Sequence, residues 1–92
     1  MTSAEETLIE MLRVAGLAKR PSYARRDVCL LLGVSEMQFF RMTEAYCPDP
    51  ETGEPIRPDT LDSFLLRSNR RVTYPELVKF LERNNLYLRK HG

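Results

Sequence analysis

Side chains that could do covalent or metal chemistry are few in this chain, and their spacing does not favour it. The two cysteines, Cys29 and Cys47, do not form a C-x-x-C pair and are too few for a disulfide framework. Cys29 also lies in an apolar run, which is typical of a small buried residue. The only histidine, His91, stands next to the last residue, so a zinc site and a Ser–His or Cys–His nucleophile are poorly supported. We therefore predict no catalytic residue, no metal site and no cofactor, and we do not expect an enzyme.

Cationic side chains are more informative, because they are clustered although the formal net charge is only +1. The two basic clusters are Lys19, Arg20, Arg25 and Arg26, and then Arg67, Arg70 and Arg71. Between them lies an acidic stretch with the single Arg57 and with Asp49, Glu51, Glu54, Asp59 and Asp62. Each cluster alone is compatible with an ordinary solvated surface. That interpretation weakens if the fold brings both basic clusters to one face.

Length and composition indicate one globular domain. The chain has 92 residues, of which 42% are hydrophobic and 29% are charged, as is usual for a protein with a modest core of its own. Glu5, Glu6, Glu10 and Arg13 interrupt the apolar residues near the start, so neither a signal peptide nor a membrane span is indicated. We expect a cytoplasmic protein without a membrane partner.

The predicted elements that must position the basic residues are four helices and one hairpin, in a mainly α fold. We divide the chain into an N-terminal helix with its connection (residues 1–22) and a second part (residues 23–92), together one compact unit. The first helix is predicted over Ser3–Ala18, with capping-box spacing between Ser3 and Glu6. Its apolar residues span more than one face. The helix could therefore cap the domain's own core, or part of it could meet a second copy of the chain.

The second and third helices are predicted to be joined by a short turn. The second covers Arg25–Leu32 and ends at Gly33, and Ser35 caps a third helix that runs to about Tyr46. Two short helices with a glycine-containing turn of about three residues form the helix-turn-helix pattern.

The third helix is predicted to have a buried and an outward face. The residues assigned to the core are Phe39, Met42, Thr43 and Tyr46, and those assigned to the opposite face are Met37, Phe40, Arg41 and Glu44. Exposed Met37 and Phe40 beside an arginine are unusual for a face that meets only solvent. This pattern indicates a contact surface.

A proline-rich loop and a hairpin are predicted to follow. The segment CPDPETGEPIRPDT contains four prolines, so we expect an irregular loop there. Two strands, Phe64–Arg67 and Arg71–Tyr74, then form a hairpin whose turn is Ser68, Asn69 and Arg70. Thr73 and Glu76 have capping-box spacing for a fourth helix. Leu86 and Leu88 are expected to pack back on the domain.

This order of elements resembles the MerR-like and excisionase-like winged helix-turn-helix DNA-binding domains over about residues 23–81. The best-matching segments are VCLLLGVSEMQFFRM and RRVTYPELVKFL. The resemblance implies a recognition helix (residues 35–46) in the major groove and a basic wing (residues 64–74) on the DNA backbone. These 92 residues differ from the family's usual pattern in a longer, more acidic loop, and no pattern of a long dimerisation helix follows the wing within them.

The resemblance implies that duplex DNA is the partner, with a possible role in transcription regulation or as an architectural factor of a mobile element. Carried over position by position, Gln38 and Arg41 stand where the recognition helix touches DNA, and Arg70 and Arg71 where the wing does. Arg41 suits guanine and Gln38 adenine, whereas Phe40 could touch a thymine methyl or sugar or could seat the wing. The full predicted contact set is Arg25, Arg26, Ser35, Met37, Gln38, Phe40, Arg41, Arg67, Arg70 and Arg71.

Two further expectations concern partners. A second copy of the chain is expected to bind cooperatively alongside the first on DNA, with the free protein monomeric. The alternative function is a protein–protein interaction module that uses the same scaffold, with Met37 and Phe40 as its anchors. Salt dependence separates the two functions, because only DNA binding releases counterions.

Overall fold

Capping side chains explain where the helices begin. The computed structural model describes residues 3–84, which contain α1 (Ala4–Ala15), β1 (Ser22–Ala24), α2 (Arg25–Leu32), α3 (Glu36–Glu44), β2 (Phe64–Leu66), β3 (Asn69–Thr73) and α4 (Tyr74–Arg83). At α1, Ser3 Oγ accepts from the Glu6 amide at 3.1 Å and Glu6 Oε1 accepts from the Ser3 amide at 2.8 Å, so the predicted capping box is confirmed. Thr73 Oγ1 likewise accepts from the Glu76 amide at 3.2 Å.

Two helices end earlier than predicted. The first stops at Ala15 instead of Ala18, because Gly16 takes a left-handed conformation with φ of 75° and caps it. The third stops at Glu44 instead of Tyr46, and the Ala45 amide closes its last turn on the Arg41 carbonyl. The second helix has the predicted bounds. Leu86 and Leu88, which were expected to pack back on the domain, lie outside the described residues.

The sheet has one strand more than the predicted hairpin. Its order is β1-β3-β2, with both pairs antiparallel, so β3 is central and β1 and β2 are the edges. Tyr23 of β1 lies opposite Val72 of β3, and both side chains are completely buried. In the described residues the fold is therefore a mixed one, with four helices and a small three-stranded sheet. The extra strand fixes the N-terminus of α2 beside the hairpin.

The hairpin turn begins one residue earlier than predicted and is one residue shorter. Phe64 pairs with Arg71 and Leu66 with Asn69, so the loop consists of Arg67 and Ser68 alone. Both loop residues have positive φ, 54° for Arg67 and 71° for Ser68, as a two-residue type I′ turn requires. Asn69 and Arg70, expected in the turn, belong to β3, and Tyr74, expected in the strand, begins α4.

The core lies between the sheet and all four helices of the described residues. Leu8 and Leu12 of α1 are buried in it with Leu77 and Leu81 of α4, so α1 is part of the same unit. Ile9, on another side of α1, remains 46% exposed. No helix among residues 3–84 is sufficiently long and apolar to cross a membrane.

The proline-rich loop is anchored at its C-terminal end. Thr60 and Leu61 are buried, and the Arg83 guanidinium donates to the Thr60 carbonyl oxygen at 2.8 Å. The same guanidinium lies 2.8 Å from Glu76 Oε2, which also accepts from the Asp62 amide at 3.1 Å. The Glu76 carboxylate is therefore directed at the loop and at Arg83.

Candidate nucleic-acid interface

The outward face of α3 has the composition that the sequence predicted. Phe39 and Thr43 are buried, whereas Met37 is 64% and Phe40 is 55% exposed. Arg41, Glu44 and Gln38 are also exposed. The predicted division of this helix into a core face and an outer face is thus confirmed for these residues, and Tyr46 is half-buried just after the helix.

Ser35 caps the N-terminus of α3. Its Oγ accepts a hydrogen bond from the Gln38 amide at 3.1 Å, which fixes the first turn of the helix. Its carbonyl oxygen lies 3.8 Å from the Cys29 Sγ, which donates to it. Burial raises the pKa of the Cys29 thiol, so this cysteine is a poor nucleophile. Ser35 therefore positions the outward residues of α3, and Cys29 belongs to the supporting structure.

A groove separates α3 from the hairpin, and it collects most of the predicted contact residues. The residues that line it are Ala24, Arg25, Arg26, Glu36, Met37, Phe39, Phe40, Leu65, Ser68, Asn69, Arg70 and Arg71. Gln38 and Arg41 do not line this groove but a neighbouring depression, which also contains Asp59 and Thr60. Parts of both basic clusters therefore meet at one groove, because β1 leads directly into α2 and pairs with β3.

The arginines around the groove differ in how firmly they are held. Arg70 is the most constrained: its guanidinium donates to Glu44 Oε2 at 2.8 Å and to Ser63 Oγ at 2.9 Å. Arg71 donates to the Ser22 hydroxyl at 2.9 Å and to the Ser22 carbonyl oxygen at 3.2 Å. Arg70 thereby ties the hairpin to the end of α3, and Arg71 ties β3 to β1.

Other arginines remain available to a ligand. Arg25 faces Glu36 at 3.8 Å, but both side chains are more than half exposed, so this ion pair is weak. Arg26, Arg41 and Arg67 are exposed, and among the described residues no carboxylate oxygen lies within 4.0 Å of their guanidinium groups. These last arginines come from the first turn of α2, the outer face of α3 and the tip of the hairpin.

The first basic cluster is divided by the fold. Lys19 lies 3.6 Å from Glu5 and sits over the Tyr74 ring, and Arg20 lies 3.4 Å from Asp27. Neither residue lines the groove. Only Arg25 and Arg26 of this cluster reach it.

Sequence reasoning missed Leu65, which is 61% exposed and lines the groove opposite Phe40 and Met37. It belongs to β2, where Phe64 and Leu66 are also exposed although all three are large and apolar. The apolar run FLL was the available signal, but such a run ordinarily predicts a buried strand.

Within residues 3–84 there is no group of three or more His, Cys, Asp or Glu side chains that could hold a metal ion. No protein-family model matches the chain, and neither a curated protein nor a solved structure shows significant similarity to it.

Proposed function

We propose that this chain is a winged helix-turn-helix protein that binds duplex DNA, with α3 in the major groove and the β2–β3 hairpin on the backbone. Its cellular role would be in transcription regulation or as an architectural factor, in the cytoplasm and without catalysis. The observation that carries this proposal is the position of Arg26, Arg41 and Arg67. They extend from the first turn of α2, the exposed face of α3 and the tip of the hairpin, and within residues 3–84 no carboxylate oxygen lies within 4.0 Å of their guanidinium groups.

The energetics of DNA binding favour this arrangement. Affinity for duplex DNA comes largely from lysine and arginine side chains that neutralise phosphates. Arg26 in the first turn of α2 and Arg67 at the tip of the hairpin are exposed cations that could make such contacts. Arg41 lies on the exposed face of α3, where a guanidinium could bond O6 and N7 of guanine. Phosphate contacts then set the position, and the base contact sets the choice of sequence.

Arg70 and Arg71 then have a mainly structural part. Their hydrogen bonds to Glu44, Ser63 and Ser22 hold the hairpin at a fixed angle to α3. A wing must keep that angle if α3 and the hairpin tip are to reach neighbouring parts of one duplex.

The decisive experiment measures how binding to duplex DNA depends on salt concentration. Arg26→Ala and Arg67→Ala should each weaken binding to all duplex sequences about equally and lower the salt slope by about one unit. Arg41→Ala should instead relax the preference at one base pair, with a loss of about 1–3 kcal/mol on the preferred sequence.

Lys79→Ala is the matched control, because Lys79 is an exposed cation on α4, which does not line the groove. It removes the same charge and should leave the slope nearly unchanged. Binding that does not depend on salt, or equal effects of Lys79→Ala and Arg26→Ala, would contradict the proposal.

A second candidate function is a protein-interaction module, favoured by the exposed Met37, Phe40 and Leu65 in the same groove. Apolar side chains that converge in this way are typical of an anchor site for a partner. Association through them would be nearly insensitive to salt, so the same titration separates the two functions.

Cooperative binding of a second copy on DNA belongs to the proposal as well. The candidate contact on α1 is Ile9, since Leu8 and Leu12 are committed to the core and Met11 packs against it. Titration of the protein onto duplexes that carry one or two half-sites measures this cooperativity.

A further inference from the structure

Met37 is a large apolar residue of α3 that does not pack against the core in the described part of the chain. Met11 and Met42 pack against the core, whereas Met37 does not and is 64% exposed. It is the second residue of α3, and Arg41 follows it one helical turn later on the same face. A methionine kept in water in the first turn of an exposed helix face favours contact with an apolar group of a ligand.

We infer that Met37 reads the C5 methyl group of a thymine in the major groove, an inference that rests on the proposed DNA-binding function. The first turn of a recognition helix is the part that reaches base edges. On those edges the thymine methyl is the apolar group, whereas the others are hydrogen-bond donors and acceptors. Met37 can make no directional hydrogen bond to them, and its flexible, polarisable thioether suits a methyl contact.

Phe40 is less suited to that contact than Met37. Both residues line the groove with Leu65, but Phe40 is less exposed than Met37 (55% against 64%), and its place on the helix is one turn beyond the first. Its ring would meet sugar at the edge of the major groove. Met37 and Phe40 therefore differ in what they contact, base methyl and sugar respectively.

The separation of Met37 and Arg41 along α3 predicts the spacing of the two bases that they contact. Four residues of helix rise about 6 Å, and successive base pairs are about 3.4 Å apart. The thymine that Met37 contacts should accordingly lie within about two base pairs of the guanine that Arg41 contacts. The structure thus assigns to the preferred site a thymine and a guanine in close succession.

The test uses the full chain and a duplex selected for binding from a random pool. Each thymine of that duplex is replaced in turn by uracil, which removes only the C5 methyl group. One replacement, within two base pairs of the guanine whose preference Arg41→Ala relaxes, should weaken binding about fourfold, which corresponds to about 0.8 kcal/mol for one buried methyl group.

Met37→Ala should bind the thymine and uracil duplexes equally, at the affinity that the wild type shows for uracil. Met37→Leu should keep the preference. The matched control is Leu30→Ala, which truncates an apolar residue of α2 that is 58% exposed and does not line the groove. Leu30→Ala should prefer the thymine duplex to the uracil duplex as strongly as the wild type does.

Salt-dependent binding with no sensitivity to uracil at any position would overturn this inference and leave the proposed function intact. The inference would also be overturned, with the proposed function intact, if Met37→Ala preferred thymine to uracil as strongly as the wild type does. Failure of the chain to bind any duplex would overturn the inference and the proposed function together.

Discussion

Tyr74 joins the N-terminus of α4 to the N-terminus of α1. Its hydroxyl donates to Glu5 Oε2 at 3.0 Å, and the Lys19 ammonium sits 5.0 Å from the centre of its ring. Burial, together with the hydrogen bond to Glu5 and the charge of that carboxylate, raises the pKa of Tyr74 from 10.0 to about 12. The neutral phenol is therefore the form that the folded state favours.

This pKa predicts a loss of stability at alkaline pH. The stabilisation is complete below pH 10, because the phenol is then protonated in both states, and it is lost as the pH rises towards 12. Over that range the free energy of unfolding of the wild type should fall more steeply than that of Tyr74→Phe, by up to about 1.4 kcal/mol per pH unit. Urea denaturation at pH 8, 10 and 11 measures both slopes. Parallel curves for the two proteins would contradict the assignment.

The residue types of the candidate site could be predicted from the sequence, whereas the hydrogen-bond partners of its side chains could be predicted much less well. Arg41 and Met37 could be placed on an outer face because the period of a helix is local. The partners of Arg70 and Arg71 could not be foreseen, since Glu44 and Ser22 are 26 and 49 residues away along the chain. Whether an arginine is free to meet a phosphate is decided by such distant contacts.

At the scale of elements, the sequence was most informative where signals are local. The cap of α1 and the glycine after α2 mark helix ends through side chains within a few residues, and both were recognised. The strand β1 has only three residues and runs directly into α2, so it shows no alternation of its own. Its pairing with β3 depends on packing around Tyr23 and Val72, which a local pattern does not contain.

The hairpin turn was misplaced because its residues are unusual for their conformation. Arg67 and Ser68 both have positive φ, where glycine and asparagine are favoured. We predict that Ser68→Gly, by relieving this strain, raises the free energy of unfolding by about 0.5–1 kcal/mol. Thermal or chemical denaturation measures it.

The control for this prediction is Ala45→Gly, which introduces the same residue at a negative φ of −82° and should lower the stability. A hairpin that gains nothing from Ser68→Gly would mean that the loop does not hold this conformation in solution.

At the scale of the whole molecule, the ion pair between Arg83 and Glu76 joins the proline-rich loop to α4. Their side chains are only 11% and 10% exposed, and Arg83 also holds the Thr60 carbonyl oxygen. The loop therefore closes over the core with Leu61 beneath it. The loop is therefore anchored to the domain despite its length.

Removing one partner of this buried pair should be costly. We predict that Arg83→Met lowers the free energy of unfolding by about 3–5 kcal/mol, because the Glu76 carboxylate is left buried without its cation. The matched control is Arg57→Met, which breaks an ion pair with Asp59 whose side chains are 64% and 60% exposed. It should change the stability by no more than about 1 kcal/mol. Equal effects in chemical denaturation would show that the loop is not held by Arg83.

The central position of β3 has a consequence for synthesis on the ribosome. The first helix and β1 leave the ribosome well before β3 and α4, the elements against which they pack. Until the codons for α4 have been translated, the apolar side chains of Leu8 and Leu12 have no partners in Leu77 and Leu81. Until α4 has left the ribosome, the nascent chain therefore exposes apolar surface that chaperones bind, and a message truncated within α4 would yield a product that cellular proteases can clear.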